Sequence, residues 1–115
     1  MAQKRDCSEI DHQARALPAP DEDVCARAAG IFRALGDPGR LQVLALLAQK
    51  EMCVTEIALS LDEQMTTVSQ RLKLLKSERL VQKRREGKHL FYSLTDKHVS
   101  RLVSNAIDHA QEVNA

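Results

Sequence analysis

The chain has 115 residues, 43% hydrophobic and 29% charged, an ordinary globular balance that suffices for one compact domain and no more. No apolar run is long enough to span a bilayer, and the opening MAQKRDCSEI lacks the apolar core of a signal peptide, so a cytoplasmic location with no membrane partner is expected. Net charge is only +1 but uneven: residues 1–23 hold three basic and six acidic side chains, whereas residues 64–92 hold eight Lys or Arg against Glu78 and Glu86.

That basic block inside a near-neutral chain points to a polyanion-binding face. One Tyr, two Phe and no Trp leave an aliphatic core, which favours packed helices. Three widely spaced cysteines, Cys7, Cys25 and Cys53, do not read as a disulfide framework; they suit a reducing compartment.

Residues 1–20 show no clear period, end in LPAP and are expected to form a mobile arm. Asp21 then reads as an N-cap with acidic residues in the first turn. Val24, Ala28, Ile31, Phe32 and Leu35 recur at helical spacing up to Gly36, and Cys25 beside that stripe reads as a small packed residue. Asp37 as cap and Pro38 at the first position start a second helix to about Gln49, with Leu41, Leu44 and Leu47 inward. Thr55 is the expected cap of a short helix through Leu61, and Asp62 to Gln64 form a turn.

A longer helix follows, with Val68, Leu72 and Leu75 inward. Two helices joined by so short a turn are a helix-turn-helix unit. The outer side of the second helix offers Gln64, Thr66, Thr67, Ser69, Gln70, Arg71 and Lys73, donor and acceptor types that reach base edges and phosphates in a major groove. LVQKRREGKHLFYSL then reads as a hairpin turning at Glu86-Gly87, with Arg84, Arg85, Lys88 and His89 at its tip. A basic hairpin directly after a helix-turn-helix is placed as a wing against duplex DNA.

The last helix starts near Asp96. Val99, Leu102, Val103, Ala106, Ile107, Ala110 and Val113 make a 3-4-3-4 seam suited to a partner helix, hence to a homodimer. Beside the seam stand Asp96, His98, His109 and Glu112. His109 and Glu112 share a face, and Asp96 and His98 converge at the helix start. At 1.5 Å rise per residue the two pairs lie roughly 16 Å apart, whereas zinc–ligand bonds are about 2.0–2.2 Å. One helix cannot close the site; two antiparallel copies close it twice, each site with two imidazoles and two carboxylates. No position is left for a catalytic water, and no nucleophile–base set or phosphate loop occurs elsewhere, so an enzyme is not expected.

FRALGDPGRLQVLALL, MCVTEIALSL, TTVSQRLKLLKSERLV, REGKHLFYSL and the D-x-H…H-x-x-E pattern together resemble the ArsR/SmtB family of metal-sensing repressors, over about residues 22–113. The last pattern is similar to the zinc-sensing branch. The resemblance implies a mainly α fold with a β-hairpin, a winged helix-turn-helix joined into a homodimer through its terminal helices, over residues 21–115. It implies an apo dimer on operator DNA, released by Zn²⁺ or a relative such as Co²⁺, with efflux or sequestration genes then transcribed. The family's second site commonly uses C-V-C with thiols from the arm; here Cys53-Val54-Thr55 lacks the second cysteine. Cys53 with Cys7, Asp11 and His12 would be a second site for softer Cd²⁺ or Cu⁺. A thiol redox-sensing repressor of the same fold is the alternative.

Overall fold

The computed structural model describes residues 8–112, apart from the side chain of Asp11. Its first element is a seven-residue helix, α1 (Glu9–Arg15), within the segment assigned to the arm. Seven residues are too few to display a helical period, which is why the sequence did not reveal it.

The next two helices begin and end where their capping residues stand. Asp21 accepts the Asp23 N–H at 2.7 Å and opens α2 (Glu22–Leu35), which Gly36 closes. Asp37 accepts the Arg40 N–H at 2.9 Å and opens α3 (Pro38–Leu47). Arg40 also donates from Nε to the Ala34 carbonyl at 2.8 Å and from Nη2 to the Arg33 carbonyl at 3.1 Å. The first turn of α3 thus satisfies carbonyls left open at the end of α2.

A two-residue strand, β1 (Met52–Cys53), precedes α4 (Val54–Leu61), α5 (Met65–Ser77), β2 (Val81–Glu86), β3 (His89–Leu94) and α6 (Lys97–Glu112). The strands form one antiparallel sheet in the order β1-β3-β2. Three local expectations change. The cap of α4 is Cys53 rather than Thr55: the Cys53 N–H donates to Glu56 Oε1 at 3.2 Å, closing that turn from outside the helix. The hairpin turns at Gly87-Lys88 rather than Glu86-Gly87, because Glu86 pairs with His89 and Gly87 takes the left-handed first turn position at φ 62°. And β1, too short to carry an alternation signal, exists only because Met52 and Cys53 pair with Tyr92 and Phe91.

The core gathers Val43, Leu44 and Leu47 of α3, Ile57 of α4, Val68, Leu72 and Leu75 of α5, and Val99 and Val103 of α6, all buried. Each such side chain contributes about 1.5–3 kcal/mol by leaving water. α2 joins this core through Ala34, with Ile31 and Leu35 packed against it, while Val24 and Phe32 stay 49% and 61% exposed. Cys25 is exposed on the same helix rather than packed, because the body meets α2 on its other side. On α6, Leu102 and Ile107 are half-buried and Ala106 and Ala110 exposed; Val113 lies outside the described residues. Only part of the apolar seam is therefore covered by the chain's own core.

Candidate nucleic-acid interface and effector half-sites

The helix-turn-helix owes its geometry to one residue. Asp62 takes the left-handed conformation (φ 52°, ψ 50°) after α4, and the Glu63 N–H returns to the Ala58 carbonyl at 3.0 Å. Aspartate tolerates that conformation where most side chains do not. Gln64 then caps α5 without a side-chain bond to the helix. Val68, Leu72 and Leu75 face the core, which leaves Thr66, Ser69, Gln70 and Lys73 exposed and Thr67 half-buried. Among the described residues, no hydrogen bond engages the side chains of Gln64, Thr66, Thr67, Ser69 or Gln70, whereas Ser77 at the far end of α5 bonds the Leu74 carbonyl at 2.6 Å. The row is thus available to an external donor and acceptor set.

Arg71 differs from its neighbours. Its guanidinium lies against Gly39, where an added Cβ would sit 2.5 Å from Cζ, and Nη2 meets Glu63 Oε1 at 3.3 Å. Nη1 is buried without a partner, beside a groove of about 320 Å³ that Asp37, Arg40, Thr67 and Gln70 also line. Arg71 therefore clamps α5 to the start of α3 instead of projecting from the outer row. The absence of a side chain at Gly39 leaves the space that this guanidinium fills.

The wing separates its cations by strand alternation. Arg84 donates from Nη2 to Glu51 Oε1 at 2.6 Å and from Nη1 to Glu86 Oε2 at 2.9 Å, with its Cζ 5.0 Å from the Phe91 ring centre. The Glu51 hydrogen bonds, then those of Glu86, hold the guanidinium above its ordinary range, and Arg84 in turn holds Glu51 below the usual carboxylate range. Lys83 and Arg85 occupy the other face, exposed and without an ion pair among the described residues. Lys88 and His89 at the tip are exposed as well. The Lys83 ammonium, and then partial burial, push Lys76 of α5 down. Lys76 and Lys83 thus adjoin with like charge, an arrangement that an anion relieves. Both belong to the basic block of residues 64–92, and Lys83, two residues before Arg85, shares its face.

The four metal-ligand candidates form two pairs at opposite ends of α6. His98 Nδ1 lies 3.6 Å from Asp96 Oδ1, and His109 Nδ1 lies 3.7 Å from Glu112 Oε2. Asp96 Oδ1 also accepts the Val99 N–H at 3.0 Å, capping the helix; that bond first, and His98 next, hold its carboxyl below the usual range. The side chains are 53–90% exposed, so their nitrogen and oxygen atoms remain accessible. Among the described residues, no three His, Cys, Asp or Glu side chains of the single chain gather as a metal site. Each pair offers one imidazole and one carboxylate, which fits half of a four-donor zinc site.

The thiol candidates remain apart. Cys53 is half-buried as the cap of α4, with its N–H the main cause of a lowered Glu56 carboxyl. His12 is exposed on α1; Cys7 and the Asp11 side chain lie outside the described residues. Between α2, the end of α5 and the start of α6 lies an open groove of about 640 Å³, lined by Gly30, Ile31, Glu78, Arg79, Thr95, Asp96 and His98 among others. There the Arg79 carbonyl accepts the Thr95 hydroxyl at 2.9 Å.

Comparison with known proteins agrees with this architecture. Residues 37–83 match the family described as "Bacterial regulatory protein, arsR family". A transcriptional repressor SmtB homolog of Synechocystis sp. is 41% identical over 90 residues, 78% of this chain and 68% of that one. A cadmium resistance transcriptional regulatory protein CadC homolog of Staphylococcus aureus is 38% identical over 86 residues, 74% of this chain and 71% of that one. The homodimeric winged helix-turn-helix DNA-binding domain Mb0332 of Mycobacterium bovis superimposes with a TM-score of 0.73 at 35% identity, covering 84% of this chain and 92% of that one. The chain belongs to the arsR family of bacterial regulatory proteins: it is a transcriptional regulator built as a winged helix-turn-helix, not an enzyme.

Proposed function

We propose that two copies of this chain form a cytoplasmic repressor that binds operator DNA in the absence of metal and leaves it when Zn²⁺ or Co²⁺ is bound between the subunits. The observation that carries this reading is the pair of His–carboxylate half-sites at opposite ends of one exposed helix face. Asp96 and His98 of one subunit, with His109 and Glu112 of the other, would hold the ion. Zn²⁺, when bound, supplies a Lewis-acidic centre that takes four nitrogen or oxygen donors. The exposed Val24, Phe32, Ala106 and Ala110, beside a homodimeric relative, support a second copy as the cover of α2 and α6.

On the DNA side, Gln64, Thr66, Thr67, Ser69, Gln70 and Lys73 would meet base edges and phosphates, while Arg85, Lys88, His89 and the Lys76–Lys83 pair follow the backbone. Residues 21–115 are the working domain in this reading, and residues 1–20 an arm. A softer ion such as Cd²⁺ at Cys7, Asp11, His12 and Cys53 is a lesser extension, favoured by the cadmium-resistance relative. Repression then depends on the spacing of two recognition helices, which must reach half-sites about 34 Å apart. A dimer geometry that suits the ligand pairs but misplaces those helices makes metal and DNA weaken each other equally.

Mixed dimers test the interchain site. One chain carries Asp96→Ala and His98→Ala; the other carries His109→Ala and Glu112→Ala. Zinc titration should give two tight sites in the wild-type dimer, one in the mixed dimer and none in either mutant homodimer. Equal stoichiometry in the mixed dimer and its two parents would refute a shared site.

A further inference from the structure

We propose that Thr95 is a positioning residue that ties the first turn of α6 to the end of the recognition helix, so that movement at the effector half-site reaches the DNA reader within one chain. This rests on the reading that Asp96 and His98 belong to the effector site. Thr95 directly precedes Asp96 but bonds backward across the fold. Its hydroxyl donates to the Arg79 carbonyl at 2.9 Å and lies 3.4 Å from the Leu80 carbonyl, while its own N–H donates to Leu80 at 3.1 Å. Arg79 and Leu80, with Glu78 before them, are the three residues between the end of α5 and the start of the wing.

Arg79 is also the place where a small displacement has discrete consequences. Its φ of 60° is left-handed, a conformation that a side chain with a Cβ holds only when its surroundings impose it. The Arg79 N–H bonds the Lys76 carbonyl at 3.0 Å, and the Leu80 N–H bonds Leu75 at 2.9 Å, so the helix holds the residue from one side. The Thr95 hydroxyl holds its carbonyl from the other. Arg79, Thr95, Asp96 and His98 line the same groove, which α2 closes where Gly30 faces Glu78. Asp96, meanwhile, caps α6 through Val99. Two consecutive residues thus connect opposite structures: one grips the end of α5, the next begins α6 and offers a ligand oxygen.

Thr95→Val removes the donor and keeps the branched shape; Thr95→Ser keeps the donor; Thr95→Ala serves should valine prevent folding. Zinc affinity and stoichiometry, read by chelator competition, should stay within about threefold of wild type in Thr95→Val. The zinc-induced loss of DNA affinity should shrink by about tenfold, and Thr95→Ser should restore it. A second readout uses neither DNA nor zinc: amide hydrogen exchange at Arg79, Leu80 and Val81 should be faster in the apo Thr95→Val protein than in wild type or Thr95→Ser. Unchanged exchange, or full zinc response in Thr95→Val, would overturn the proposal. If zinc leaves wild-type DNA binding untouched, the effector reading fails, and the exchange result alone decides whether the tether exists.

Discussion

The two ends of this chain, the one proposed to read DNA and the one proposed to take the effector, handle their charged groups in opposite ways. At the reading end, two of the most conspicuous cations are bound internally: Arg71 lies on Gly39 beside Glu63, and Arg84 is held by Glu51 and Glu86. Among the described residues, no hydrogen bond engages the side chains of the surrounding Gln64, Thr66, Ser69 and Gln70. At the proposed effector end, both histidines stand 81–90% exposed, each with one carboxylate beside it. The surface proposed to fit a rigid duplex is held by internal clamps. The surface proposed to take an ion and a second subunit is left accessible.

The largest expected break in that contrast is His109→Ala. Zinc should weaken wild-type binding to a selected operator duplex by roughly 10- to 100-fold, and His109→Ala should lose that response while apo binding persists. Fluorescence anisotropy with and without Zn²⁺ decides it; undiminished release in the variant would detach the effector end from the reader.

Next comes Arg71→Ala against Gln70→Ala, neighbours with opposite tasks. Arg71→Ala should lower stability by about 1–2 kcal/mol through loss of packing and the Glu63 bond. Gln70→Ala should leave the melting temperature nearly unchanged and relax sequence discrimination by about 1–3 kcal/mol at one base pair. Thermal unfolding and competition among single-base operator variants separate the two; equal stability effects would cancel the distinction.

The smallest effects concern the wing, and their signs oppose. Lys83→Gln should reduce the salt slope of DNA binding by about 0.9, whereas Glu51→Gln, by releasing Arg84, should steepen it. Glu51 has its carboxyl lowered by Arg84, so its contribution is present above the ordinary value of 4.5 and is lost as pH falls through the lowered one. Wing amide protection, taken relative to the intrinsic exchange rate at each pH, should therefore fall in acid in wild type, and Glu51→Gln should flatten that dependence. A slope moving the same way in both variants would mean that Arg84 already touches phosphate.

Punctuation and periodicity made most of this fold legible. Asp21, Gly36, Asp37 and Pro38 mark helix ends through chemistry that acts within four residues, and Val68, Leu72 and Leu75 mark the buried side of α5. The pairing of Asp96 with His98 and of His109 with Glu112 was visible for the same reason, since contacts within one helical turn are set by local geometry. Other features depend on residues far apart in the chain. β1 exists because β3 lies beside it, and Arg84 is neutralised by Glu51, 33 positions earlier. Arg71 turns inward because Gly39 opens a place for it, and Thr95 reaches back 16 positions to Arg79. Local sequence set where helices start, stop and show an apolar face; only the packed chain decided which polar groups that face outward are already engaged, because those partners meet through tertiary packing.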